Sequence, residues 1–125
     1  TDTIIMERVS GDVLKYVPSA ANVRLAGETV GKLHGAGIVH GDLTTSNMII
    51  RGDRCVLIDF GLASTSAEVE SRGVDLHVFF QTLESTTENY EELREAFVAG
   101  YRETFAGADE VFSREHEVEL RGRYL

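Results

Sequence analysis

The stretch that most constrains this chain runs from His40 to Gly61. It reads His40-Gly41-Asp42-Leu43-Thr44-Thr45-Ser46-Asn47, then two short apolar runs, Met48-Ile49-Ile50 and Cys55-Val56-Leu57-Ile58, and finally Asp59-Phe60-Gly61. The apolar runs are rich in β-formers and meet through Arg51-Gly52-Asp53-Arg54, a composition and spacing that predict a hairpin. Asn47 enters that hairpin and Asp59 closes its return strand, so the pairing brings the two side by side at one edge, with Asp42 on the loop that feeds it. Taken singly these residues say little: Asp-Phe-Gly is a common turn, and an asparagine ending a loop is usually a cap. Their order on one loop-strand-turn-strand frame is what makes coincidence a poor account.

A carboxylate, an amide oxygen and a second carboxylate converging from separate segments suit the handling of a nucleoside triphosphate. Phosphoryl transfer asks a protein for an oriented acceptor and for neutralisation of shifting negative charge. Mg²⁺ is a hard cation held by one or two oxygen-bearing side chains together with phosphates and waters. Gly61 is expected to let the backbone turn sharply after Asp59, and His40 to brace the loop by packing and hydrogen bonds. Asp75 stands in an otherwise apolar segment, where a carboxylate is costly unless satisfied. His34 and His77 read as hydrogen-bonded helix residues and not as ligands.

Composition bounds the rest. At 125 residues the chain makes one domain at most. Hydrophobic residues at 42% and charged residues at 26% are ordinary for a soluble fold and argue against global disorder. No apolar run approaches the roughly 18 residues of a membrane span, and no secretory leader is legible at the start, so a cytoplasmic protein is the expectation. The single Cys55 closes no intrachain disulfide and reads as a buried strand residue. With 21 acids against 12 bases, a net charge of −9 has the wrong sign for gripping nucleic acid over the whole surface, so any RNA contact is local or supplied by a partner. All the bases but Lys15 and Lys32 are arginines, which fits a salt-loving source and an ordinary acidic surface equally well.

Along the chain, Thr3-Ile4-Ile5-Met6 reads as a short strand before a Ser10-Gly11 turn, and Asp12 as the cap of a short helix that Pro18 ends. Val23, Ala26, Val30 and Leu33 recur at helical spacing and predict a helix from Asn22 to Ala36, stopped by Gly35 and Gly37. The stretch from Ala63 to Arg72 is polar and without strong periodicity, whereas Val74 to Leu83 is apolar nearly all round and predicts a buried helix. Thr87 or a neighbour is expected to cap the next helix, whose stripe is Tyr90, Leu93, Phe97, Tyr101 and Phe105. Gly107 breaks it, and a last helix is expected from about Glu110 to Leu120, before Arg121-Gly122-Arg123-Tyr124.

His40-Gly41-Asp42 with Asn47, followed by Asp59-Phe60-Gly61, resembles the catalytic and metal-binding loops of protein kinases. The longer run His40 to Ile49, with Ile58-Asp59-Phe60-Gly61-Leu62-Ala63, is similar to one family in particular, the small atypical serine/threonine kinase of the KEOPS complex, of PRPK type. Leu43-Thr44-Thr45-Ser46-Asn47 is the most specific part, since ordinary kinases carry Leu-Lys-Pro-Glu-Asn there; the likeness runs from Met6 to the arginine-rich end. The resemblance implies an α+β fold, mainly α-helical: a protein-kinase-like C-terminal lobe in which a small β-hairpin carries the metal-binding site. It implies ATP and Mg²⁺ as cofactors, with Asp42 orienting or deprotonating the acceptor and Asn47 and Asp59 holding metal. Backbone groups of Glu7 and Val9 would meet adenine, with Met6 behind it, and Asp75 would hold the backbone of the catalytic loop. It implies support for threonylcarbamoyladenosine synthesis on tRNA, with the tRNA threonylcarbamoyltransferase subunit and other KEOPS subunits as partners, tRNA reached through the complex, and no membrane.

The pattern also departs from ordinary kinases. Gly41 stands where an arginine is usual, leaving no cation for an activation-loop phosphate, and Thr44 replaces a lysine near the moving phosphate. Residues 1–11 read as the last strand of the N-terminal lobe and its hinge, and 12–125 as the C-lobe. On that reading the N-lobe is absent, with its glycine-rich loop, β-strand lysine and helix glutamate, and the chain alone binds nucleotide weakly. Two readings follow: a Mg²⁺-dependent kinase or ATPase subunit, or a catalytically weak docking module for the transferase subunit. A small-molecule phosphotransferase ranks behind both.

Overall fold

In the computed structural model, residues 10–123 are described. The expected strand at Thr3 to Met6 and the adenine contacts assigned to Met6, Glu7 and Val9 lie outside them. Helix α1 (Ala20–Gly35) starts where extended Ser19, just after Pro18, accepts a hydrogen bond on Oγ from the Asn22 N–H at 3.2 Å. It ends at Gly35, and two residues on Gly37, with φ +82° and its N–H bonded to the His34 carbonyl at 3.0 Å, forms a left-handed stop. The helix therefore begins at Ala20, two residues before the expected start at Asn22.

Helix α3 (Tyr90–Thr104) lies against α1 with almost no side chain between the backbones. A Cβ on Gly27 would overlap the Phe97 carbonyl, one on Gly31 the Thr104 hydroxyl, and one on Gly100 the Arg24 carbonyl. That closeness lets Thr104 Oγ1 donate to the Glu28 carbonyl at 2.9 Å and Arg24 pair with Glu103. Helix α2 (Val69–Thr86) starts five residues before Val74, inside the stretch read as unpatterned. It buries Asp75, Leu76, Phe79, Phe80 and Leu83, but Val74 is 41% exposed, so it is one-sided and not apolar all round. Thr87, expected as a cap for α3, instead closes α2 by donating to the Leu83 carbonyl at 2.7 Å; Asn89 precedes α3 and makes no side-chain cap bond. Helix α4 (Ala108–Arg123) packs mainly on α2 and outruns the expected span at both ends.

Strands β3 (Met48–Arg51) and β4 (Arg54–Leu57) form the expected hairpin, Met48 opposite Leu57 and Arg51 opposite Arg54. Gly52 takes the first turn position with φ +61°, as a two-residue type II′ turn requires. Asp12 is not a helix cap. It lies in β1 (Asp12–Val13), which pairs antiparallel with β3 opposite Ile50, and only a single 3-10 turn, Leu14–Tyr16, follows. A second pair, β2 (Ile38–Val39) with β5 (Ser64–Thr65), was unreadable because two-residue strands carry no periodicity. One core runs through these elements: Leu14, Val23, Leu43, Met48, Leu76, Phe79, Leu83, Leu93 and Phe97 are wholly buried, and Phe79 stacks on Phe97 at 4.4 Å. The fold is α+β and mainly helical, as expected. No helix among the described residues is long and apolar enough to cross a membrane.

Candidate active site

The loop between β2 and β3 is held from beneath by Asp75 of α2. Its Oδ2 accepts the His40 N–H at 2.8 Å and its Oδ1 the Gly41 N–H at 3.0 Å, while His34 Nε2 of α1 lies 2.9 Å from Oδ2. Burial alone would raise the Asp75 carboxyl, but these bonds outweigh it and hold the group below the usual aspartate range. The carboxylate is thus the anchor that the sequence required of it, satisfied where an unpaired charge would be costly.

His40 is fully buried and faces the other way. Its Nε2 sits 2.8 Å from the Ile58 carbonyl, which only accepts, so Nε2 carries the proton and Nδ1 accepts the Asp42 N–H at 3.2 Å. Its ring packs on Phe60 at 4.8 Å. One neutral imidazole therefore ties the backbone of Asp42 to the strand end that leads into Asp59.

Asn47 closes the 3-10 turn Thr45–Asn47. Its Nδ2 donates to the Asp42 carbonyl at 2.8 Å and reaches Asp42 Oδ2 at 3.3 Å, so the amide nitrogen faces Asp42 and the amide oxygen is turned away from that bond. Thr45 is pinned from α2, its N–H donating to Thr82 Oγ1 at 3.3 Å. The Ile58 N–H donates to the Asn47 carbonyl at 2.9 Å, extending the hairpin ladder by one bond, and Asp59 follows immediately. Asp42 and Asn47 are partly buried, and Asp59 is exposed.

The sharp turn expected at Gly61 is made by Asp59 itself, with φ +62°, whereas Gly61 keeps a negative φ. Aspartate tolerates the left-handed region better than most residues, and such strained backbone gathers at functional sites. Gly41 has φ +90°, and a Cβ there would overlap the Leu62 carbonyl. The missing arginine at position 41 is therefore a packing requirement: the Leu62 carbonyl occupies the space a side chain would need. Among the described residues no three histidine, cysteine, aspartate or glutamate side chains gather to hold a metal. The Asn47 amide oxygen and the Asp59 carboxylate are two oxygen-bearing groups, and such a pair would need phosphate oxygens and waters to complete an Mg²⁺ shell.

Two of the remaining histidine assignments match the structure. His34 bonds Asp75 and the Tyr101 hydroxyl, and His77 Nδ1 lies 3.4 Å from Glu115 Oε2. Tyr101 was legible only as one of an aromatic stripe; the hint of a further role is that it alone among the buried rings there, beside Phe97, carries a hydroxyl. Cys55 is buried as expected, and burial pushes its thiol up to about 12.

Comparison with known proteins follows the same residues. A protein of Methanoculleus marisnigri named a probable bifunctional tRNA threonylcarbamoyladenosine biosynthesis protein is 77% identical over 99% of this chain and 24% of its own length. A probable serine/threonine-protein kinase BUD32 homolog of Archaeoglobus fulgidus is 47% identical over 99% of this chain and 63% of its own length. The KEOPS complex subunit Bud32 of Pyrococcus abyssi is 43% identical over 97% and 60%. The chain thus spans about a quarter of the bifunctional relatives and about three fifths of the other two. The resemblance drawn from the loop motifs is borne out by these names. The family described as RIO domain matches residues 2–74, more than half of the chain, taking in the loop of Asp42, the hairpin and the turn at Asp59, and the chain belongs to that family.

Proposed function

We propose that this chain is the ATP-handling portion of a Mg²⁺-dependent phosphotransferase or ATPase, working as a KEOPS-type subunit in the synthesis of threonylcarbamoyladenosine on tRNA. The observation that carries this reading is the orientation of Asn47: its amide nitrogen is engaged by Asp42, which leaves its oxygen as a donor next to the strand end that presents Asp59. Asn47 Oδ1 and the Asp59 carboxylate would hold Mg²⁺, and the ion would neutralise phosphate charge when bound. Asp42, its backbone fixed by His40, orients or deprotonates the attacking hydroxyl or water. Met6, Glu7 and Val9 would supply the adenine contacts. The names of the relatives support the tRNA-modification and KEOPS setting; in that setting the threonylcarbamoyltransferase subunit and other KEOPS subunits would be the partners, tRNA would be reached through the complex, and the location would be cytoplasmic. The close packing of Gly41 on Leu62 leaves no room for an arginine, which favours ATP turnover without control by an activation-loop phosphate.

The test is Asp59→Asn in the full-length protein, chosen because asparagine tolerates the left-handed backbone of position 59. Mg²⁺-dependent ATP hydrolysis should fall by about 10²-fold or more, the scale of losing one electrostatic contact to the reacting phosphate, with the melting temperature unchanged. Unchanged turnover refutes the assignment. The docking reading draws on Thr44, which stands where kinases keep a lysine. Retention of the transferase subunit in a pull-down, with no ATP binding by calorimetry, would establish it instead.

A further inference from the structure

Tyr101 is wholly buried on α3, with Phe97, Phe105 and Phe112 around its ring at 6.0, 5.5 and 5.4 Å. A phenylalanine would fill this space as well, so the hydroxyl needs its own account. It lies 2.7 Å from His34 Nδ1. The other nitrogen of His34 faces the Asp75 carboxylate, which can only accept, so Nε2 carries hydrogen. In the neutral ring Nδ1 must then find a donor, and the phenol supplies it. Burial pushes the Tyr101 phenol well above its ordinary value, with Arg72 opposing, so the proton stays on oxygen.

Without that donor, the Nε2–H tautomer would leave a bare acceptor at Nδ1 in a dry site. The alternative tautomer would set a lone pair against the Asp75 carboxylate. The charged groups facing His34 are Asp75 and Arg72 of α2; Arg72 Nη2 lies 3.4 Å from the His34 carbonyl and its guanidinium stacks on Phe105 at 4.8 Å. Asp75 only accepts and cannot take the place of the phenol as a donor to Nδ1; Arg72 meets His34 at its main-chain carbonyl and not at the ring, although its Nε is buried without a hydrogen-bond partner.

We propose that Tyr101 is a positioning residue for the loop that carries Asp42: its hydroxyl fixes the tautomer of His34, His34 fixes Asp75, and Asp75 fixes the backbone of His40 and Gly41. Helix α3 is thereby joined to the candidate site by an unbroken run of hydrogen bonds through α1 and α2. The link to catalysis rests on the reading of Asp42 given above; the link from Tyr101 to the loop does not.

The test compares Tyr101→Phe with Val98→Ala, a packing change on the same helix outside the run, both in the full-length protein. In Tyr101→Phe, amide exchange at His40 and Gly41 should quicken by about tenfold, the scale of losing one buried hydrogen bond. The imidazole nitrogen shifts of His34 should move away from a pure Nε2–H pattern, and kcat for ATP should fall with KM for ATP unchanged. Val98→Ala should leave the His34 pattern and the local exchange ratio as they are. Unaltered His34 shifts and unaltered exchange at His40 and Gly41 in Tyr101→Phe would overturn the proposal, as would equal acceleration in both variants. If exchange and tautomer change while neither protein hydrolyses ATP, the positioning role stands and the phosphotransfer reading fails.

Discussion

Position 41 looked, from the sequence, like a lost arginine with consequences only for regulation. The fold gives it a different meaning, because φ +90° and a Leu62 carbonyl standing where a Cβ would go admit nothing larger than hydrogen. Gly41→Ala should therefore cost roughly 1 to 3 kcal/mol, the usual scale for backbone strain of this kind, and should separate residues 59–62 from the loop. Urea denaturation reads the first effect and protease sensitivity near Leu62 the second; a fully stable variant would show that the close approach is not maintained. Asp75 was legible at this scale because a carboxylate interrupts an otherwise apolar segment, whereas Asp42, Asn47 and Asp59 stood out only through their order on one loop-strand-turn-strand frame. The positive φ at Asp59 was not, since a sequence reader assigns the sharp turn to the nearest glycine.

Among the elements, the helices were readable wherever an apolar stripe recurs at 3.6 residues, as in α1 and α3. What the stripe omits is how close two helices come. Gly27, Gly31 and Gly100 put α1 and α3 in backbone contact, and a residue without a side chain contributes nothing to a periodicity count. The start of α2 was missed for the related reason that Val69 to Gly73 adds only a glycine to the buried face. Gly27→Ala would drive the helices apart and should cost about 1 to 3 kcal/mol as overpacking. Gly37→Ala meets no atom within 4 Å and bears only the left-handed backbone penalty, about 1 kcal/mol. Denaturant midpoints of the two variants measured side by side should rank Gly27→Ala as the less stable, and the reverse order would mean that α1 and α3 can slide to make room.

On the scale of the whole molecule, two buried carboxylates give the stability curve opposite slopes. Asp75 has a lowered pKa in the folded state. Its contribution is present above the ordinary aspartate value and is lost as pH falls through the lower folded value. Glu115 on α4 is 4% exposed, and burial raises its carboxyl, with His77 of α2 and Arg94 of α3 opposing and Glu119 adding to the rise. The folded state thus holds the Glu115 proton more tightly than the unfolded chain does. Stability from this group is greatest in acid, falls as pH climbs from the ordinary glutamate value through the raised one, and is a constant cost beyond it. Glu115→Gln removes that cost while keeping the shape. Its urea midpoint should equal that of the wild type in acid, below the ordinary glutamate value, and exceed it at pH 7. Asp75→Asn should do the opposite, being weaker at pH 7 and converging with the wild type in strong acid as the native carboxylate protonates. A Glu115→Gln variant less stable than the wild type at pH 7 would mean that the ion pairs with His77 and Arg94 outweigh desolvation, reversing the sign argued here.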